Sequence, residues 1–112
     1  MTPISTKPTK RSVRGSTASR PIMVLLDLLS RRWTLRILWE LRDASLTSRA
    51  LRDVSDAVSP TVLQARLNDL RKAGLVELSA GGGYGLTGIG KELVEVFLPL
   101  HRFADRWSKR KT

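Results

Sequence analysis

Gly83, Gly85 and Gly88 spell G-x-G-x-x-G inside the stretch GGGYGLTGIGKELV, residues 81–94. Between a strand and a helix, that spacing is the chemistry of a dinucleotide site. The glycines let backbone N–H groups approach a pyrophosphate at a helix N-terminus. The motif works only inside a βαβ unit of about 30 residues, because the helix must return the chain to a second parallel strand. Downstream of Gly88 the chain is one continuous helical pattern. Asp105 stands at roughly the ribose-binding spacing, but within that helix. Upstream, 59–74 reads as a helix where the first unit would have to begin. Residues 80–83 are therefore better read as the tip of a β-hairpin, whose glycines supply the positive φ of a tight turn.

Other catalytic chemistry is equally short of parts. The 112 residues contain no cysteine, which excludes a thiol nucleophile, a disulfide framework and a Cys-based zinc site. The single histidine, His101, has no second histidine to complete a metal pair. Asp53 and Asp56 read as a solvated face, and no cluster pairs a nucleophile with a base. An enzyme is not expected, and no cofactor or metal is implied.

The charge balance points elsewhere. Twenty Lys and Arg against ten Asp and Glu give a formal net charge of +10, which suits a polyanionic partner: nucleic acid or an anionic membrane surface. The longest apolar run, 22–29, is interrupted by Asp27 and is too short to span a bilayer. No apolar signal region precedes it, so a cytoplasmic, nucleoid-associated protein is expected. The acid-free start, rich in Ser, Thr and Arg, has the composition of a transit peptide. Pro3, Pro8 and Gly15 oppose the amphipathic helix such a peptide needs.

The order of elements follows from the periodicities. Residues 1–20 are polar and basic, with too few apolar groups to offset the entropy of ordering, and read as a disordered arm. A folded domain is expected over 21–108, and a basic tail over 109–112. Pro21 suits the first turn of a helix. Ile22, Leu25, Leu26 and Leu29 form one apolar stripe; Trp33, Ile37 and Leu41, with Leu38, form a second. Thr47 or Ser48 caps a third helix with Leu51 and Val54 inward. Ser59-Pro60 opens a fourth, which Gly74 ends. Residues 75–78 and 84–87 read as short strands, and a last helix runs from about Gly90 to Trp107. Pro99 inside it removes one backbone bond and is expected to bend it. The fold class is mainly α with a small β-hairpin, the layout of a winged helix-turn-helix.

In that layout the fourth helix, about 60–73, is the one that enters the DNA major groove. On a helical wheel Leu63, Leu67 and Leu70 fall together and face the core. Thr61, Gln64, Ala65 and Asn68 fall on the exposed side. Amide side chains can bond adenine there, Thr can meet the thymine methyl, and a small Ala permits close approach. Ser59, Arg49, Arg52, Lys72, Arg31 and Arg32 are candidates for phosphate contact, which positions rather than specifies. Arg66, on the core-side flank, can reach either a phosphate or a carboxylate or carbonyl of its own chain. The hairpin tip carries no Lys or Arg, so the basic arm is a candidate to reach an adjacent groove instead.

A second surface is apolar. Leu93, Phe97, Leu100, Ala104 and Trp107 repeat at spacings of four and three, with Phe103 and Val96 widening the seam. One small domain cannot readily bury both faces of such a helix. With Leu25 and Leu29 of the first helix offering a partner surface, a two-fold homodimer built from the terminal helices is expected.

The stretches RRWTLRILWEL (31–41), SPTVLQARLNDLRKAGLV (59–76) and YGLTGIGKEL (84–93) together resemble the HxlR family of winged helix-turn-helix transcriptional regulators, relatives of the MarR type. The resemblance implies a homodimer that binds a pseudo-palindromic operator in double-stranded DNA and represses or activates transcription. Three departures stand out. Many relatives carry a cysteine just before the proline at Pro21, where this chain has Arg20, so thiol sensing is excluded. The family's usual Arg-Phe at the third helix start is replaced by Thr47-Ser48. The hairpin is short and lacks the family's frequent basic residue. Two other readings stay open: a sequence-independent, nucleoid-type DNA binder favoured by the basic ends, and a winged-helix protein-interaction module favoured by the bare hairpin tip.

Overall fold

A computed structural model describes residues 20–56 and 58–111. Apart from Arg20, the basic arm expected over 1–20 lies outside the described residues. The element order is α1 (Pro21–Leu29), α2 (Thr34–Glu40), α3 (Ser48–Val54), α4 (Pro60–Lys72), β1 (Val76–Leu78), β2 (Tyr84–Leu86) and α5 (Gly88–Lys111).

Local chemistry sets most of these boundaries. Pro21 occupies the first turn of α1. Thr47 caps α3 by accepting from Ala50 N, and Ser59 caps α4 by accepting from Val62 N. Gly74 ends α4 at φ 78°, the left-handed conformation that glycine adopts without a Cβ penalty. Trp33 holds the same conformation before α2, also at φ 78°, although it is not glycine.

The core is one cluster. Ile37 and Leu38 of α2, Leu51 of α3, and Leu63, Leu67 and Leu70 of α4 are sealed from solvent, and Leu75, Val76, Tyr84 and Leu86 of the hairpin close over them. Val94 and Phe97 dock α5 on the same core. Val54 departs from the inward placement expected of it: it is 41% exposed, because α3 ends there and Ser55 takes the buried position.

β1 and β2 pair antiparallel with Leu78 opposite Tyr84 and Val76 opposite Leu86. On the other edge of β2, Leu46 bridges Tyr84 through Leu46 N–Tyr84 O and Tyr84 N–Leu46 O bonds of 2.9 and 2.8 Å. Among the described residues this sheet is antiparallel throughout, so the three glycines of the G-x-G-x-x-G spacing have no βαβ frame. Gly83 follows the hairpin turn, in which Gly82 takes φ 91°; Gly85 lies within β2, and Gly88 starts α5.

The last helix is longer than its apolar periodicity suggests. It begins at Gly88, runs through Pro99 without interruption and continues to Lys111. Lys109 and Arg110 thus extend it, and cations in a final turn are favourable to the helix dipole.

Candidate nucleic-acid interface

α4 is held by one face and open on the other. Leu63, Leu67 and Leu70 are buried, while Thr61, Gln64, Ala65, Asn68, Arg71 and Lys72 are all exposed. Every residue expected to read bases lies on this open face. The Gln64 Nε2 amide donates to Asn68 Oδ1 at 3.1 Å and to the Tyr84 hydroxyl at 3.4 Å. The open face of α4 is therefore tied to the hairpin through a residue that periodicity alone did not single out. Beside it a shallow cleft of about 520 Å³ runs between α4 and β1, lined by Asn68, Arg71, Lys72, Glu77 and Leu78.

The candidate phosphate residues divide into two groups. Arg49 and Arg52 project from α3, and Arg32 and Lys72 are also exposed; none of the four makes an ion pair among the described residues. Arg32 lies over the Trp33 ring at 5.3 Å. Arg66 and Arg31 are engaged within the chain. Arg66 donates to Asp69 Oδ2 at 2.9 Å and to the Arg32 carbonyl at 3.0 Å. Arg31 reaches the same Asp69 oxygen at 3.0 Å and Asp27 at 3.6 Å. For Arg66 this is the intramolecular alternative to a phosphate contact. The Ser59 hydroxyl is engaged in the α4 cap.

Asp69 is thus a clasp between α4 and the α1–α2 loop. Burial pushes its carboxyl up, but the hydrogen bonds from Arg31 and Arg66 outweigh that and hold it below the ordinary aspartate value of 3.8. A second clasp joins α2 to the end of α3. Arg36 donates to Glu40 at 2.8 Å, to Asp56 at 3.0 Å and to the Val54 carbonyl at 2.7 Å. The hydrogen bonds to Glu40 and then Asp56 raise the Arg36 guanidinium above its usual value. The first clasp fixes α4 against the α1–α2 loop and the second fixes the end of α3 against α2. Asp69 was readable from sequence only as an i+3 neighbour of Arg66; its link to Arg31 needed the tertiary fold.

The expected dimer residues also divide. Leu29 and Leu93 are half-buried against the core, and Phe97 is only 7% exposed. These three are taken up by their own domain, because the first half of α5 lies across α2 and β2. Leu25 is half-buried and Ala104 exposed. Leu100, Phe103 and Trp107 remain open at 62, 52 and 52%, as do Ile22, Met23, Val24 and Leu26 on α1. At the boundary Trp39 stacks on His101 with centroids 4.1 Å apart, and Arg42 lies 4.0 Å over the same indole.

A helix-turn-helix, an attached hairpin and an exposed polar face on the second helix define a winged helix-turn-helix of the kind found in transcriptional regulators. The HxlR-like helix-turn-helix family matches residues 28–112, and the chain belongs to that family. It is 26% identical over 98 residues to an uncharacterised HTH-type transcriptional regulator of Synechocystis, covering 82% of this chain and 73% of that one. It superposes on the quinone-bound YodB of B. subtilis with a TM-score of 0.71 and 28% identity, covering 78% of this chain and 98% of that one. A possible HxlR family transcriptional factor of Thermoplasma volcanium gives a TM-score of 0.71 and 25% identity, with 87 and 95% covered. The relatives are regulators rather than enzymes. No helix among the described residues is long and apolar enough to cross a membrane.

Proposed function

We propose that this HxlR-type regulator binds a pseudo-palindromic operator as a homodimer, with α4 in the major groove and α3 across the phosphate backbone. The observation that carries this reading is the polarity of α4. One face is fixed in the core by three leucines, and the opposite face presents Thr61, Gln64, Ala65 and Asn68 to solvent. Those groups suit base edges. Arg49, Arg52, Arg32 and Lys72 supply cations for phosphates, with Ser59 at the α4 N-terminus beside them. Arg31 and Arg66 act by fixing the angle of α4 rather than as primary phosphate contacts. The open apolar faces of α1 and α5 support dimerisation, because monomers rarely expose contiguous apolar patches of this kind.

The formal charge of +10 favours one competing reading, a sequence-independent DNA binder. Selection of bound fragments from random duplex DNA separates the two, followed by affinity on the winner and on a scramble across a salt series. A two-fold symmetric consensus that binds far more tightly than the scramble supports the dimeric regulator. Binding without a consensus that collapses as salt rises supports the electrostatic reading, because counterion release drives it. No binding at all points to a protein partner.

A further inference from the structure

The hairpin tip has no cation to offer DNA, yet the hairpin reaches the readout face through one side chain. Tyr84 lies opposite Leu78 in the ladder, and both its backbone groups bond Leu46 on the other side. Its ring is 7% exposed, within the core cluster. The hydroxyl of this anchored residue meets Gln64 Nε2 at 3.4 Å, and the same amide nitrogen meets Asn68 Oδ1 at 3.1 Å. Both protons of the Gln64 amide are thereby engaged within the chain, one along the open face of α4 and one toward the hairpin. The Gln64 Oε1 acceptor and the Asn68 Nδ2 donor make no hydrogen bond among the described residues.

We infer that Tyr84 is a positioning residue for base readout: it sets the orientation of the Gln64–Asn68 pair, which then reads one adenine as a unit. In the major groove adenine alone among the bases shows both a donor, N6, and an acceptor, N7; guanine shows two acceptors. An unbonded acceptor and an unbonded donor on one exposed helix face complement adenine. Without the Tyr84 bond the Gln64 amide can turn to present a donor with that of Asn68, which suits the two acceptors of guanine, and the preference is lost. The wing thus contributes to specificity without touching the nucleic acid. This inference rests on the proposed major-groove role of α4.

The test uses the full-length chain, the selected operator, the same operator with the half-site adenine changed to guanine, and a scrambled duplex. Tyr84→Phe keeps the ring and removes the hydroxyl. It is expected to lower the adenine-over-guanine ratio by about two- to tenfold, the net worth of one hydrogen bond. Affinity for the scramble and the melting temperature should stay at wild-type values. In a Gln64→Ala background the same change should have no further effect, because the group it orients is gone. The inference is overturned by an unchanged ratio, by an equal loss on the scramble, or by a full additional loss in the Gln64→Ala background. Should Tyr84→Phe melt early, the side-chain amide protons of Gln64 in the wild-type protein carry the test. Dispersed, slowly exchanging resonances support the restraint, and resonances like those of a free glutamine overturn it. A wild-type protein with no consensus at all removes the major-groove reading itself, a failure distinct from that of Tyr84.

Discussion

At the scale of residues, the difference between reading and clasping is the difference between an exposed group and a shared one. Gln64 and Asn68 stand on the open face of α4, so replacing either with Ala should cost about 1–3 kcal/mol on the cognate site and little on other duplexes. Titration of both duplexes checks this; an equal loss on nonspecific DNA would remove the readout assignment. Asp69 should behave in the opposite way. Its folded-state pKa is depressed, so its contribution is complete above the unfolded value near 3.8 and is lost as pH falls through the folded value. Asp69→Asn should therefore cost about 1 kcal/mol at neutral pH and flatten the acid limb of stability below pH 3.8. Urea denaturation at pH 7 and across the acid range measures both. The wheel of α4 was legible because leucine spacing fixes a helix face whatever lies beyond it. The Asp69 clasp was not, because Arg31 is 38 positions away in sequence and only the fold brings the two together.

At the scale of elements, the glycine that the structure needs at the base of the wing lies just outside the nucleotide-like spacing. Thr87 receives the Gly90 N–H and donates to the Gly74 carbonyl at 2.6 Å, joining the start of α5 to the end of α4. Gly90 lies so close that an added Cβ would strike the Leu75 carbonyl, a backbone atom with no rotamer to yield. Gly90→Ala should destabilise the domain by about 1–3 kcal/mol or displace α5 from the hairpin, visible as a lowered denaturation midpoint. Gly88 has open space around it, and Gly88→Ala at the helix start should be tolerated in the same measurement. The hairpin and its glycine turn could be read from sequence, since turn chemistry is local. The bridge from Leu46 and the reach of Tyr84 to Gln64 could not, since they depend on non-local pairing.

At the scale of the whole molecule, the division of α5 decides how the domain can associate. Phe97 and Val94 anchor its first half to the core, whereas the residues of its second half are exposed. Leu100, Phe103 and Trp107 are exposed, as are Ile22, Met23, Val24 and Leu26 on α1, and a second copy is the surface proposed to cover them. Leu100→Glu should then yield monomers by light scattering while leaving the domain folded, because residue 100 takes no part in the core cluster. The effect on DNA separates dimer function from domain function. Losing the second half-site should abolish tight operator binding but leave weak binding of a single half-site, since the α4 face is untouched. An unchanged molecular mass would place the interface elsewhere. A lowered melting temperature together with monomers would show that the second half of α5 stabilises the domain as well as the dimer. The basic charge of residues 1–20 is expected to act over the same scale but without sequence specificity. Removing residues 1–20, which carry five Lys and Arg and no acid, should weaken binding to all duplexes alike and reduce the salt slope by about 0.9 for each phosphate no longer neutralised. A slope that stays at the wild-type value would mean that operator affinity comes from the folded domain alone.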